Sequence, residues 1–344
     1  MSRGVRAVAA LCVLLLGAGA AGAVWMGVRS LDQPLRLAAP LRFTVAPGTS
    51  FAHVAASLAS QGVVPRPRAW VLYARWKGLA AAIKAGEYEV QPGTTPRELL
   101  AKMVSGQVLL HSFTIVDGWR VRDMLSALRQ NPDVTATLAE GSPDIMEKIG
   151  SPGVAPEGQF LPETYRFTRG TTDVELLRQA HAALTRELDA DWMGRDPEVP
   201  LKDAAELLIM ASIVQKESGL PQELAKIAGL YLHRLAIGMR LQADPTVIYG
   251  MGDRYDGNIR TADLRADGPY NTYTRTGLPP TPIALAGAAA IRATAHPEKT
   301  DAIYFVASGR ADGSHVFSAT LQEHNAAVAQ YLARGRQKAA GAER

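Results

Sequence analysis

Between Leu207 and Val214 the chain reads Leu-Leu-Ile-Met-Ala-Ser-Ile-Val, which is apolar on almost every face of a helix. A helix without a polar face is stable only when protein surrounds it, so this segment demands packed structure on all sides. The helix is predicted to begin near Asp203 and to reach Glu217, with Ser218-Gly219 ending it and Pro221 opening the next helix in its favoured first-turn position. With 344 residues, 47% hydrophobic and 20% charged, the chain has material for about two domains and a sizeable core.

Composition removes several functions. The 37 basic and 33 acidic residues are scattered without long runs of one sign, so no nucleic-acid stripe is indicated. The single cysteine, Cys12, lies in the most apolar stretch, which excludes an intramolecular disulfide, redox catalysis and cysteine-ligated metals. The seven histidines show no paired ligand spacing, and neither a P-loop nor a G-x-S-x-G elbow occurs. Gly17 to Gly22 formally spell G-x-G-x-x-G, but no strand precedes them. His315 and His324, near Phe317 and Asn325, fit either the lining of a site or a surface strand and a helix start.

The predicted fold class is α+β, with a single N-terminal transmembrane helix, a small β/α domain and a larger, mostly helical domain with short strands. Residues 1–6 carry Arg3 and Arg6, and 7–28 form an uncharged run long enough to span a bilayer, which expects a cytoplasmic N-terminus and an exported body. A cleaved signal peptide is the other reading, because Ala18-Gly19-Ala20 and Ala21-Gly22-Ala23 resemble cleavage sites. Over 40–125 a pattern recurs: Phe43-Thr-Val-Ala-Pro-Gly-Thr49, Tyr88-Glu-Val-Gln-Pro-Gly-Thr94 and, more loosely, Phe113 to Trp119, each a short strand and turn before a helix. These read as β/α units sharing one sheet, either glycan-binding or a structural spacer, with a Ser or Thr after Pro-Gly capping the helix. A connecting region over 126–158, the larger domain over 159–335 and a polar tail over 336–344 complete the chain.

Two features suggest chemistry. Met210, Val214 and Glu217 share one helical stripe, so the Glu217 carboxylate continues an apolar seam at a helix end, where desolvation raises a pKa. The competing reading is a solvated residue paired with Lys216 or Lys226. The segments around Gln242, Asp244 and Tyr249, and around Tyr270, Asn271, Tyr273 and Pro279, combine amide, hydroxyl and aromatic groups with proline stiffening, as a sugar site requires. Asp244 precedes Pro245, which expects an extended or turning backbone there.

These segments resemble the MltG/YceG-like family of membrane-anchored endolytic murein (peptidoglycan) lytic transglycosylases. The likeness rests on Ala211-Ser-Ile-Val-Gln-Lys-Glu-Ser218, the run Arg234 to Gly250, Tyr270-Asn-Thr-Tyr273 with Gly277-Leu-Pro-Pro280, Ala295-His-Pro297, Tyr304-Phe-Val-Ala307, His315-Val-Phe317 and His324-Asn325, and more weakly on Phe160 to Tyr165. The family's Glu-Lys-Glu is here Gln215-Lys-Glu217, leaving Glu217 at the catalytic position, and Glu163 stands where the family more often has aspartate. The resemblance implies a LysM-like small domain, a catalytic domain over 159–335, and cleavage of MurNAc-β-1,4-GlcNAc bonds within nascent strands to give 1,6-anhydroMurNAc ends. It implies no metal or cofactor. Its partners are glycan strands, the inner membrane through 7–28 and cell-wall synthases, with the catalytic domain on the periplasmic or external face. A muramidase using water, with Asp244 or Glu163 as second carboxylate, and a non-enzymatic glycan-binding scaffold remain open.

Overall fold

The computed structural model describes residues 3–139 and 142–342, apart from the side chains of 3–10, 12, 13 and 337–342. The chain forms two compact units: residues 1–111 with 166–170, and residues 112–165 with 171–344.

The first unit holds α1 (Arg3–Arg29), β1 (Leu41–Val45), α2 (Phe51–Ser60), α3 (Pro67–Trp76), β2 (Gly86–Val90) and α4 (Pro96–Ser105). Strands β1 and β2 pair antiparallel, with Phe43 opposite Tyr88 and Leu41 opposite Val90. Against them pack Phe51, Leu58, Trp70, Leu99, Leu100 and Met103, forming a core of its own. The hydroxyl residues after each Pro-Gly turn cap the helices as expected. Ser50 accepts from the His53 N–H, and Thr95 and Glu98 form a reciprocal box at α4.

One expectation for this region requires correction. The expected single sheet is divided: β3 (His111–Thr114), carrying the third repeat, pairs with β4 (Thr164–Phe167) rather than with β1 or β2. Among the described residues, moreover, no helix is long and apolar enough to cross a membrane. The expected span over 7–28 falls partly on residues 7–10, 12 and 13, whose side chains lie outside the described set.

The second unit holds α5 (Val121–Gln130), α6 (Ile145–Ile149), α7 (Asp173–Gly194), α8 (Ala204–Glu217), α9 (Leu224–Ala236), α10 (Asp244–Met251), α11 (Thr261–Arg265), α12 (Ala288–Ala295), the antiparallel pair β5 (Tyr304–Ala307) and β6 (His315–Ser318), and α13 (Leu321–Ala342). The all-apolar segment does what its composition requires. α8 is sheathed by α7, α9, α10 and α12, with Leu207, Leu208, Met210, Ala211, Ile213 and Val214 buried. Asp203 caps its start by accepting the Glu206 N–H. Ser212, buried in mid-helix, donates to the Ile209 carbonyl and accepts the Ile283 N–H, so its hydroxyl is fully used. The segment expected to be a polar tail from 336 is helical as far as Ala342; residues 343 and 344 lie outside the described residues.

Asp244 also departs from expectation. It is the first residue of α10, with Pro245 in the opening turn. Proline lacks only an N–H that the first turn leaves unpaired, and the extended conformation forecast for Asp244 falls instead on Ala243, at φ −96° and ψ 113°.

Candidate active site

Glu217 ends α8, and its carboxyl turns inward. Tyr231, fully buried one helix later, donates its hydroxyl to Glu217 Oε1 at 2.5 Å. Neither lysine foreseen as a partner reaches it. Lys216 donates to the Gly118 carbonyl, and Lys226 lies 3.9 Å from Glu298. Burial, the largest influence, pushes the Glu217 carboxyl up to about 7; the Tyr231 hydrogen bond pulls it down, the negative charge of Asp244 raises it further and Arg234 opposes that rise. The result is a carboxylic acid that still holds its proton near neutral pH. Tyr231, similarly buried and facing the same carboxylate, is held well above its ordinary value and remains a hydrogen-bond donor.

The elements around this acid are fixed through buried polar groups. Arg234, one turn after Tyr231 on α9, is 6% exposed, and its guanidinium donates to the Ile303 carbonyl at 2.6 Å and the Leu241 carbonyl at 2.5 Å. It thereby ties α9 to the segments entering β5 and α10, while its cation lies 5.6 Å from the Tyr304 ring. Past Glu217, the Ser218 hydroxyl accepts the Leu220 N–H, and Glu223 accepts the His315 N–H at 2.8 Å and pairs with His315 Nδ1 at 2.7 Å. The exit of α8 is therefore pinned to β6. Gln215, where the resembled family has a glutamate, accepts the Gly287 N–H at the start of α12. Its role here is structural.

Asp244 stands beside this acid, exposed at the head of α10, and accepts the Tyr273 hydroxyl at 2.6 Å. Its neighbour Gln242 has a positive φ of 50°, a conformation costing a non-glycine residue about 1–3 kcal/mol and retained where surrounding structure enforces it. The enforcing contacts are buried: Gln242 N–H to the Thr272 carbonyl, Ala243 N–H to Thr272 Oγ1 at 3.0 Å, and Thr246 Oγ1 to both the Ala243 carbonyl and Thr272 Oγ1. Gln242 itself is exposed. Gln242, Asp244 and Tyr273 are thus held by one hydrogen-bonded frame, with Asp244 near enough to Glu217 for its charge to act on that carboxyl.

The other candidates divide. Tyr249 and Tyr270 meet edge to face, 4.8 Å between centroids, at the far end of α10, where Arg120 covers the Tyr249 ring at 4.9 Å. Asn271 is buried and fully committed: its amide nitrogen donates to the Asp263, Leu264 and Ala266 carbonyls, and its oxygen accepts the Tyr273 N–H. It caps the end of α11, and these bonds are made within the protein. Pro279 is buried as well. Glu163, weighed as a second carboxylate, is exposed, its backbone carbonyl accepting the Ile115 N–H.

Sequence reasoning missed Tyr231 and Arg234, whose Tyr-x-x-Arg spacing places them on one face of α9, and Glu157, which lies in the segment read as a connector. Glu157 accepts the Val121 N–H at 3.0 Å and the Tyr249 hydroxyl at 3.3 Å, and burial raises its pKa against both hydrogen bonds. Among the described residues no cluster of three or more histidine, cysteine or acidic side chains could hold a metal ion. The arrangement supplies one proton donor and acceptor, with hydroxyl, amide and carboxylate groups around it.

Several known proteins are similar to this chain. A Bacillus subtilis (strain 168) protein named endolytic murein transglycosylase is 29% identical over 337 residues, spanning 92% of each chain. A protein of the same name from Streptococcus pneumoniae is 25% identical over 321 residues, covering 83% of this chain and 57% of its own length. A crystal structure of a yceG-like protein from Listeria monocytogenes, 26% identical, covers 83% of this chain and 98% of that one with a TM-score of 0.48. The YceG-like family profile matches residues 43–330, which include α8 with Glu217 and the frame around Asp244, and the chain accordingly belongs to the YceG-like family.

Proposed function

We propose that this protein is a peptidoglycan lytic transglycosylase that cleaves MurNAc-β-1,4-GlcNAc bonds within glycan strands, outside the cytoplasmic membrane where that polymer lies. The observation that carries this reading is Glu217, an acid poised near neutral pH beside exposed polar groups, in a chain whose relatives bear the name endolytic murein transglycosylase. In the proposed reaction the Glu217 carboxyl gives its proton to the glycosidic oxygen as the C1–O bond breaks, and positive charge develops on the MurNAc ring. The resulting carboxylate takes the proton of the MurNAc 6-hydroxyl as that oxygen bonds to C1. The products are a strand ending in 1,6-anhydroMurNAc and one with a free GlcNAc 4-hydroxyl. Glu217 ends protonated, and no water is consumed.

One acid performs both transfers because the nucleophile belongs to the substrate, so a second enzymic carboxylate has no proton to move. Asp244 has a different role in this scheme: its charge helps keep Glu217 protonated, and its position at the head of α10 suits orientation of a sugar hydroxyl. The test is Glu217→Gln, an isosteric change that removes proton transfer. The variant is expected to bind glycan strands and to cleave them at less than about a hundredth of the wild-type rate, the low end of what acid–base catalysis contributes. Cleavage above that level would refute the assignment.

A further inference from the structure

At the end of α10 remote from Asp244 a cavity of about 290 Å³ opens, walled by Tyr249, Met251, Arg254, Pro269 and Tyr270. At 1.5 Å per helical residue, Met251 is about 10 Å along α10 from Asp244, so the cavity lies within reach of a substituent on a sugar bound beside Glu217. Its volume is near the small end of ligand pockets, roughly 300 Å³, a size suited to a short peptide segment.

The charges around it are unevenly committed. Asp267 is held by the Nε and Nη2 groups of Arg275, at 3.0 and 2.9 Å, and by the Thr274 hydroxyl, which together keep its carboxyl far below the usual range. Asp263 and Asp267 both line the cavity, and the Asp263 carboxylate accepts the backbone N–H of Arg260 at the start of α11. Asp253, next to Arg254 in sequence, pairs with Arg122. Arg254 is exposed and, among the described residues, makes no hydrogen bond or ion pair, leaving in the lining of a partly apolar cavity a guanidinium that no carboxylate pairs.

The sugar backbone of a murein strand is uncharged and cannot satisfy that cation. Its anionic groups are the carboxylates of the peptide stems attached through the MurNAc lactyl ether. We infer that this cavity receives the peptide stem of the strand, with Arg254 pairing a stem carboxylate. The inference rests on the murein-directed function proposed above. The stem's apolar side chains meet Tyr249, Met251 and Tyr270, while the planar guanidinium engages the carboxylate through two parallel N–H bonds.

The probes are two soluble GlcNAc–MurNAc–peptides, one with free stem carboxylates and one with them amidated; neither contains the internal bond to be cut, so binding is measured on the intact wild-type protein by calorimetry. The acidic probe is expected to bind about tenfold or more tightly than the amidated one, the range of a charge-assisted hydrogen bond. Arg254→Ala should bring the ratio to about one, and Arg254→Lys should keep part of it. Equal binding of both probes by the wild type, or a preference that survives in Arg254→Ala, overturns the inference. Long strands assayed in parallel separate the two proposals: charge-selective binding without strand cleavage supports the pocket and refutes the function, and cleavage without charge selectivity does the reverse.

Discussion

Glu217 sits where two requirements meet: its side chain must be dry enough to keep a proton near pH 7 and close enough to the exposed Asp244 and Gln242 to reach a substrate. If it is the proton donor, cleavage falls as pH rises through about 7. The neighbours move that limb in opposite directions. The Tyr231 hydroxyl stabilises the ionised form, so Tyr231→Phe should shift the limb to higher pH; Asp244 raises the pKa by its charge, so Asp244→Asn should shift it lower. Both shifts can be read from pH–rate profiles of the purified variants, and shifts of one sign for both would contradict the electrostatic account. The same side chain affects stability. Its folded pKa lies above the ordinary glutamate value of 4.5, so its favourable contribution is complete below about pH 4.5 and is lost as pH rises to about 7, a change of roughly 3 kcal/mol. Glu217→Gln should therefore match the wild type in urea unfolding at pH 4 and exceed it at pH 8. Equal stability at both would show that the carboxyl is solvated.

At the scale of elements, legibility followed how local the signal was. The α8 pattern announced its burial because eight consecutive near-apolar residues leave the helix no polar face to turn to water, and Glu217 could be placed on its seam from helical spacing. The caps at Ser50, Thr95 and Asp203 were equally local. α10 was not legible, because the rule disfavouring helix before proline competes with proline's fitness for a first turn, and packing beneath Ala243 and Thr246 decided between them. Tyr231 and Arg234 meet Glu217 only through the packing of α9 on α8, which spacing within one helix does not show. Asn271 misled because an amide in a polar, aromatic loop has the composition of a ligand group, whereas its hydrogen bonds serve α11. A glycine shows how closely these elements approach. A Cβ on Gly229, in α9, would come within 2.1 Å of the Glu298 carbonyl oxygen, a backbone atom with little freedom to yield. Gly229→Ala should lower stability by about 1–3 kcal/mol in denaturant unfolding, as overpacking does. An unchanged midpoint would mean that the 296–301 segment is free to move.

For the molecule as a whole, the second unit contains every group assigned to the proposed chemistry, and the first has its own core around Trp70 and Tyr88. What the chain accomplishes turns on one distinction, whether its carboxylic acid serves a nucleophile within the sugar or a molecule of water. Asp244 lies beside Glu217, and a hydrolase would use such a carboxylate to activate water. In the proposed reaction Asp244 supplies orientation and charge instead, so Asp244→Asn should form product more slowly but of unchanged kind. The decisive measurement is mass spectrometry of strand ends released by the wild-type protein from purified, uncrosslinked peptidoglycan. Every new MurNAc end is predicted to be the 1,6-anhydro form, lighter by one water than a reducing end; new reducing MurNAc ends would contradict the account and make the protein a muramidase.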